Sequence, residues 1–284
     1  MSGKPAWVTG ATGLIGGYIV RAAPQCAPEW RAAVLTRAAL DLFDFNAVRA
    51  AFREQKPQLV IHCAALSKSP ECEAQPELAR RLNVEVTALL AELSADVPFL
   101  FFSTDLVFDG RQGNYGEDDA VNPLSGYAET KVAAENIVLK NPRHTVIRTS
   151  LNGGATLRGD RAFNEQMRCA WREGKTVNLF ADEFRSPMHA SVMARAVWEL
   201  VDRGATGLLH VAGSERLSRW EIGQILAARC PELNPKTTAG SVRDWKGPPR
   251  PPDTSLRCAK ALSILSFPLP RLSDWLAAHS DEYF

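Results

Sequence analysis

The chain has 284 residues, and 33 lysine and arginine residues against 32 aspartate and glutamate residues leave a formal net charge of +1. This balance argues against a dedicated nucleic-acid binder, which needs a clustered basic surface for its phosphate contacts. The hydrophobic fraction of 45% and the charged fraction of 23% are typical of a globular protein with a sizeable core, and they exclude global disorder, collagen-like repeats and coiled coils.

The sequence carries no pattern typical of a membrane segment, a signal peptide or a metal site. Apolar runs such as residues 99–102 are far shorter than the roughly 18 residues that a membrane helix needs, and the N-terminal residues run directly into a strand pattern. The six cysteines are scattered without a Cys-x-x-Cys pair, so we expect neither a disulfide framework nor a zinc site. These features predict a cytoplasmic, metal-independent protein.

Short apolar segments alternate with helical patterns in the first half of the chain. Continuous apolar strands separated by helices indicate βαβ units and a parallel sheet covered on both faces. Since crossovers are right-handed, the prediction is an α/β protein with a doubly wound parallel sheet of the Rossmann type. The predicted strands lie at residues 6–9, 33–35, 59–61, 99–102 and 145–147, and the predicted helices run from about residue 14 and over 46–54, 76–93 and 128–139.

The second half is less regular. It is predicted to contain a strand at 207–211 and helices over 161–173, 191–201 and 219–229, of which the last begins with the capping box of Ser218 and Glu221. The Pro/Gly-rich segment 247–252 is expected to form a surface loop over a cleft. We therefore divide the chain into a dinucleotide-binding domain over 1–152, its sheet completed by parts of 188–213, and a smaller C-terminal substrate-binding region over 153–284.

A glycine-rich turn lies between the first strand and the first helix. Gly10, Gly13 and Gly16 supply what a dinucleotide site needs: a tight turn, close approach of a pyrophosphate to the backbone, and close packing of helix on strand. The helix N-terminus adds amide donors for the phosphates. This context predicts dinucleotide binding, and an ordinary glycine-rich turn is the alternative.

The end of the second strand indicates which dinucleotide is bound. NAD enzymes often place an acidic residue about 20 residues after the glycine loop, where it holds the ribose 2′-hydroxyl. Here the strand ends in Leu35, Thr36 and Arg37, and the planar guanidinium of Arg37 suits a 2′-phosphate. NADP(H) is therefore favoured over NAD(H), unless Arg37 is a solvated surface residue.

Three residues form a predicted catalytic site. Tyr127 and Lys131 lie one helical turn apart on one face, and a nearby cation lowers a tyrosine pKa so that the phenol can exchange protons near neutrality. Thr104 lies at the carboxyl end of the fourth strand, where doubly wound sheets bind ligands. The alternatives are a turn cap for Thr104 and an exposed helix position for Tyr127.

Together these motifs resemble the extended short-chain dehydrogenase/reductase family, and the similarity is closest to its dTDP-4-dehydrorhamnose reductase branch. The glycine loop, Ser103-Thr104-Asp105 and Tyr127-x-x-x-Lys131 carry the resemblance. Other matching segments follow the family's order along nearly the whole chain: Asp41-Leu42, Cys63-Ala64-Ala65, Asn83, Glu117-Asp118, Arg148-Thr149-Ser150, Arg185-Ser186-Pro187 and Arg250-Pro251.

The resemblance implies hydride transfer from NAD(P)H to a ketone carbon, expected to be C4 of a nucleotide-linked 4-keto-6-deoxysugar. Tyr127 would protonate the developing alkoxide, Lys131 would lower the tyrosine pKa and bind the nicotinamide ribose, and Thr104 would hydrogen-bond the carbonyl oxygen. Asn83 is carried over as a structural or relay residue. The implied cofactor-binding residues, with Arg37, are Gly10, Thr12, Gly13, Leu14, Ile15, Gly16, Asp41, Leu42, Cys63, Ala64, Ala65, Tyr127 and Lys131.

The sequence departs from this branch where the substrate is chosen. Leu106 and Leu151 stand at positions that are usually aromatic, so a stacking surface for a sugar or base is expected to be missing. Asp105, Arg185 and Arg250 are candidates for substrate contact, and the two arginines would bind a diphosphate. Ion pairs within the protein, or a solvated position at the surface, are the alternatives for both arginines.

Two other kinds of function stay open. One is a reductase of another carbonyl compound, or an epimerase or dehydratase of the same family, although dehydratases carry glutamate where this chain has Leu106. The other is a non-catalytic NADP-binding regulatory subunit, like the beta subunit of methionine adenosyltransferase, which resembles this branch. Intact Thr104, Tyr127 and Lys131 favour an enzyme. A small-molecule substrate and a homodimer are the partners compatible with this interpretation, without nucleic acid or membrane.

Overall fold

Strands and helices alternate along the first half of the computed structural model, which describes residues 3–282 and 284. The strands are β1 (Lys4–Thr9), β2 (Trp30–Leu35), β3 (Leu59–His62), β4 (Phe99–Thr104), β5 (Thr145–Thr149), β6 (Asn152–Gly153), β7 (Thr176–Phe180), β8 (Phe184–Arg185), β9 (Met188–His189), β10 (Gly207–His210), β11 (Leu217–Ser218) and β12 (Lys236–Gly240). The helices are α1 (Leu14–Cys26), α2 (Phe45–Gln55), α3 (Ser69–Ala74), α4 (Pro76–Arg80), α5 (Val86–Leu93), α6 (Gly126–Val138), α7 (Phe163–Arg172), α8 (Ala190–Asp202), α9 (Arg219–Ala228), α10 (Ala259–Leu262) and α11 (Leu272–Ala278). None of the described helices is long and apolar enough to span a bilayer.

Six strands form one parallel sheet in the order β10-β5-β4-β3-β1-β2. The chain order reverses at β1, which pairs with β2 on one side and with β3 on the other. Open α/β sheets bind ligands in the crevice above the carboxyl ends of the strands at such a switch point. The predicted doubly wound α/β sheet is confirmed, and β10 from the second half of the chain lies beside β5.

Helices cover both faces of the sheet, and each face has its own apolar core. On one face α1 packs against α8, and the buried Trp198 donates its indole N–H to the backbone oxygen of Ile19 at 2.9 Å. On the other face the core includes Val48 of α2, Leu90 of α5 and Val138 of α6. Because both faces are covered, β3 and β4 are buried along their whole length, which explains their continuous rather than alternating apolar residues.

The helix predicted over 76–93 contains a π-helical turn, Arg81–Glu85, between α4 and α5. The buried Asn83 in this turn accepts a hydrogen bond from Leu66 N at 2.8 Å and donates to Leu66 O at 3.0 Å. It also donates to Thr130 Oγ1 of α6 at 3.0 Å. Asn83 therefore joins the segment that follows β3 to α6, which is the structural role expected for it.

Short strand pairs, rather than a second large sheet, organise the second half. β7 pairs with β12, β8 with β11 and β6 with β9. The capping box at the start of α9 is present, since Ser218 N donates to Glu221 Oε2 at 2.7 Å and Glu221 N donates to Ser218 Oγ at 3.1 Å. The helices predicted over 161–173 and 191–201 correspond to α7 and α8.

Candidate functional site

A cavity of about 720 Å³ opens at the carboxyl ends of the sheet strands. Its walls are formed by residues that end or follow β1 to β5 and by segments of the second half, including Pro248 and its neighbours from the predicted loop over a cleft. It brings together all the residues that the sequence analysis assigned to cofactor, catalysis and substrate: Gly10, Thr12, Gly13, Leu14, Ile15, Gly16, Arg37, Asp41, Leu42, Cys63, Ala64, Ala65, Thr104, Asp105, Tyr127, Lys131, Arg185 and Arg250.

The glycine loop has the geometry that a pyrophosphate needs. Gly10 has a φ of +64°, and a Cβ atom there would lie 2.7 Å from Ala64 N, so no other residue fits without strain. A Cβ atom at Gly16 would lie 2.6 Å from Gly10 O, which shows how closely α1 packs on the turn. Gly13 caps α1 without a side-chain acceptor, so the first amide groups of the helix are free for an anion. These residues fit a nicotinamide dinucleotide.

The start of α6 fixes the two candidate catalytic residues. Ser125 Oγ accepts a hydrogen bond from Ala128 N at 3.3 Å, which caps the helix. Tyr127 and Lys131 follow on the buried face of the first turns, so Tyr127 is not an exposed helix position. The ammonium nitrogen of Lys131 lies 4.0 Å from the ring centroid of Phe101, and this contact holds it at the base of the cavity.

Burial, more than the neighbouring lysine, decides the protonation of Tyr127. Burial raises the pKa of Tyr127 above its usual value, the Asp105 carboxylate raises it further, and a hydrogen bond with Thr104 acts in the opposite direction. The expectation of a lowered pKa for Tyr127 is therefore wrong for this structure, because desolvation of the phenolate raises this pKa. A phenol that stays protonated at neutral pH is suited to donate a proton.

Lys131 is a buried cation with a strongly shifted pKa. Burial lowers the pKa of Lys131 to about 7, while the carboxylate of Glu135 acts to raise it. Glu135 is in turn paired with the buried Arg148, through hydrogen bonds of 3.0 and 2.7 Å from the guanidinium. Burial therefore disfavours the charged form of Lys131, and the Glu135 carboxylate partly offsets this effect.

Replacing Lys131 by Met should increase the free energy of unfolding at pH 6 by about 1 kcal/mol or more, because it removes a cation that burial disfavours. The pKa of about 7 in the folded protein lies below the ordinary value of 10.5, so the unfolded chain binds more protons between these values. Wild-type stability should therefore rise with pH across this window, and the variant should lose that dependence. Urea unfolding at pH 6 and pH 9 measures both effects. The exposed Lys140, replaced by Met, is the control, and equal stability of wild type and Lys131→Met at pH 6 would contradict the argument.

Thr104 and Asp105 are both engaged by their neighbours. Thr104 Oγ1 accepts a hydrogen bond from Leu106 N and donates to Asp105 Oδ1, each at 3.2 Å. Thr104 therefore has the turn-capping role given above as its alternative, and it also lines the cavity. Asp105 Oδ2 accepts hydrogen bonds from Ser150 Oγ and Thr254 Oγ1, both at 2.7 Å. The substrate contact predicted for Asp105 stays a prediction.

Three arginines surround one buried carboxylate in the wall contributed by the second half. Glu183 is 1% exposed and accepts hydrogen bonds from Arg185 at 2.8 Å and from Arg250 at 2.9 and 2.8 Å. Arg219 Nε lies 3.8 Å from the same carboxylate. Burial acts to raise the pKa of Glu183, but the arginines together hold it below its usual value. The cluster has an excess of positive charge, which an anion in the cavity would balance.

The three arginines differ in how much of their hydrogen-bonding capacity is used. Arg185 is buried and also donates to the backbone oxygens of Phe184 and Pro251, so the protein itself uses most of its donors. Arg250 and Arg219 keep 31% and 17% of their side chains exposed, and both line the cavity. Sequence reasoning missed Arg219, because at the first position of a capped helix it looks like an ordinary surface residue.

Aromatic rings line the site although the two positions usually aromatic in the branch carry leucine. Phe163 and Trp245 line both the main cavity and an adjoining one of about 440 Å³, to which Phe180 also belongs. The guanidinium carbon of Arg219 lies 3.9 Å from the Phe163 ring centroid, and that of Arg250 lies 5.3 and 5.5 Å from those of Phe180 and Trp245. Other segments therefore bring aromatic rings to the cavity, while the expectation that the branch's stacking surface is missing stays a prediction.

Comparisons with known proteins give a consistent set of relatives. A protein-family model described as RmlD substrate binding domain matches residues 6–283. The chain is 32% identical over 238 residues to the probable low-salt glycan biosynthesis reductase of Haloferax volcanii, covering 77% of this chain and 78% of that protein. It is 31% identical over 238 residues to the methionine adenosyltransferase 2 subunit beta of Xenopus laevis, covering 79% and 71%. A crystal structure of a dTDP-4-dehydrorhamnose reductase from Clostridium acetobutylicum is 25% identical with a TM-score of 0.85, covering 97% of this chain and 99% of that one.

Proposed function

This chain belongs to the RmlD substrate binding domain family, and we propose that it is an NAD(P)H-dependent reductase that transfers a hydride to the ketone carbon of a nucleotide-linked sugar. The observation that carries the proposal is the meeting of Thr104, Tyr127 and Lys131 with the glycine loop in one cavity. The reductases among its relatives support it. As in the sequence analysis, the sugar class proposed is a 4-keto-6-deoxysugar.

The residues of this chain have separate tasks in such a reduction. A bound reduced nicotinamide supplies the hydride. Tyr127 donates its phenolic proton to the substrate oxygen on which negative charge develops, and burial keeps that proton in place by raising the tyrosine pKa. When substrate is bound, the Thr104 hydroxyl turns its one proton from Asp105 Oδ1 to the same substrate oxygen. The Lys131 cation would stabilise the developing charge and hold the nicotinamide ribose.

The proposed cofactor is NADP(H) rather than NAD(H). Arg37 follows β2, is exposed and lines the cavity, so its planar guanidinium is available to a 2′-phosphate. Asp41 lines the same end, where its Oδ1 accepts a hydrogen bond from Phe43 N at 3.0 Å. That bond directs one carboxylate oxygen of Asp41 to the backbone amide of Phe43. The positive charge that favours a phosphate at this end comes from Arg37.

The proposed substrate carries a nucleoside diphosphate, because the cavity wall offers both charge and aromatic surface. Arg219 and Arg250 are partly buried beside Glu183 and line the cavity, and guanidinium groups bind phosphate oxygens in pairs. Phe163 and Trp245 provide ring faces on which a base or sugar can stack. Direct contacts of Arg185 and Asp105 with the substrate belong to the same proposal.

Turnover of a panel of ketones with NADPH tests the proposal, followed as loss of the reduced-nicotinamide absorbance. We expect dTDP-4-dehydro-6-deoxy-L-mannose, or another nucleotide-linked 4-keto sugar, to be reduced with a far higher kcat/KM than the same sugar without its nucleotide. Reduction of simple ketones alone would contradict the nucleotide-sugar assignment.

The similarity to methionine adenosyltransferase 2 subunit beta favours one second candidate function, a non-catalytic NADP-binding regulatory subunit. Tight NADPH binding without turnover of any ketone in the panel would favour it. A pull-down would then be expected to recover a stoichiometric partner protein. We also retain the homodimer as a proposal, which light scattering of the purified chain tests.

A further inference from the structure

A second arginine, to which the sequence analysis gave no role, contacts Phe43, a residue of the cavity wall near Arg37. Arg81 begins the π-helical turn, and its guanidinium carbon lies 5.0 Å from the ring centroid of Phe43. The guanidinium carbon of Arg37 lies 5.8 Å from the same centroid. Phe43 and Arg37 line the cavity, and the Phe43 ring attracts both cations. Arg81 lies next to this wall but is not one of its lining residues.

Neither of these two guanidinium groups forms an ion pair with a carboxylate of residues 3–282 and 284. The preceding residue, Arg80, is by contrast paired with Glu85. Asp41 is a carboxylate at this end of the cavity, and it accepts the hydrogen bond from Phe43 N described above. Two guanidinium groups not paired with a carboxylate offer positive charge beside Phe43, which a phosphate monoester of charge about −2 complements.

Arg81 is also held in place. Its Nη2 donates a hydrogen bond to Phe43 O at 3.2 Å, which anchors the side chain across 38 residues of sequence. A guanidinium has five N–H donors in a fixed fork, so this single bond leaves others for a ligand. An anchored cation loses less side-chain entropy when it binds an anion, and this strengthens the binding.

We propose that Arg81 is a further cofactor-specificity residue, which together with Arg37 forms a two-arginine clamp for the 2′-phosphate of NADP(H). The inference rests on the proposed nicotinamide cofactor but does not depend on which ketone is reduced. It assigns NADP(H) selectivity to two elements, the end of β2 and the π-helical turn, rather than to the end of β2 alone.

Calorimetric binding of 2′,5′-ADP and of 5′-AMP to the full chain tests the clamp, since the two probes differ by the 2′-phosphate. Wild type should bind 2′,5′-ADP more tightly. Arg81→Ala should weaken 2′,5′-ADP binding by about tenfold, the effect of one lost charged hydrogen bond, and leave 5′-AMP binding unchanged. Arg37→Ala should act in the same direction. The matched control is Arg80→Ala, because Arg80 directly precedes Arg81 in the chain but is paired with Glu85. This variant should bind both probes as wild type does.

Arg81→Gln separates charge from positioning, because its amide can still donate to Phe43 O. The clamp predicts that Arg81→Gln loses 2′,5′-ADP affinity as Arg81→Ala does. Equal losses for both probes in Arg81→Ala, or full 2′,5′-ADP affinity in Arg81→Gln, would overturn the proposal and leave Arg81 with only a role in holding Phe43. If wild type bound both probes equally, the clamp and the NADP(H) preference would both fail, whereas the reductase proposal would still be tested by ketone turnover with NADH.

Discussion

Tyr127→Phe should lower kcat for ketone reduction by about 10²- to 10⁴-fold, the range that a positioned general acid contributes. The substitution removes only the hydroxyl, so the ring still fills its buried place beside Cys72 and Leu66. The affinity for NADPH should therefore fall far less than kcat, although Tyr127 is also one of the implied cofactor-binding residues. Initial rates with the best ketone of the panel, together with NADPH titration by fluorescence, measure the two quantities separately.

A matched control for this variant is Tyr115→Phe. Tyr115 is also buried, and its hydroxyl donates to Asp109 Oδ1 at 2.8 Å, but it does not line the cavity within the described part of the chain. Its loss should cost stability without a large fall in kcat. Full activity of Tyr127→Phe, or equal loss in both variants, would show that the proton comes from another group and would refute the role assigned to Tyr127.

The features that the sequence could predict depend on residues close together in the chain. The glycine loop lies within seven residues of one turn, and Tyr127 and Lys131 lie on one helix, so spacing alone places them. The parallel sheet was predictable because β3 and β4 are buried on both faces and need continuous apolar residues.

The features that the sequence could not predict depend on contacts between distant segments. β12 has the sequence Lys-Thr-Thr-Ala-Gly, which carries no apolar pattern that would predict a strand. It forms by pairing with β7, a segment far away in the chain. Arg250 reaches Glu183 across 67 residues of sequence, and Arg81 reaches Phe43 across 38. The raised pKa of Tyr127 could not be predicted from the sequence either, because the burial that raises it exists only in the folded protein.

Glu183→Ala should lower the free energy of unfolding by about 3–5 kcal/mol, the range found when one partner is removed from a buried ion pair. The substitution leaves Arg185 buried and close to Arg219 and Arg250 with no carboxylate among them to offset their charge, except Asp105, whose Oδ2 lies 3.7 Å from Arg185 Nε. Urea unfolding at pH 7 measures the loss. Glu92→Ala is the matched control, because Glu92 accepts two hydrogen bonds from Arg49 at the surface, where such a pair contributes about 0–1 kcal/mol.

The pH dependence and the response to anions distinguish loss of charge from loss of packing at Glu183. The arginines hold the pKa of Glu183 below its ordinary value of 4.5, so its stabilising effect is complete above that value and is lost as pH falls through the lower folded pKa. The difference between wild type and Glu183→Ala should therefore shrink in acid. Added phosphate should restore part of the stability of Glu183→Ala, because an anion bound by Arg219 and Arg250 replaces the missing carboxylate. A deficit that neither acid nor phosphate changes would mean that Glu183 acts through packing, and the case for a diphosphate site in this wall would lose its electrostatic basis.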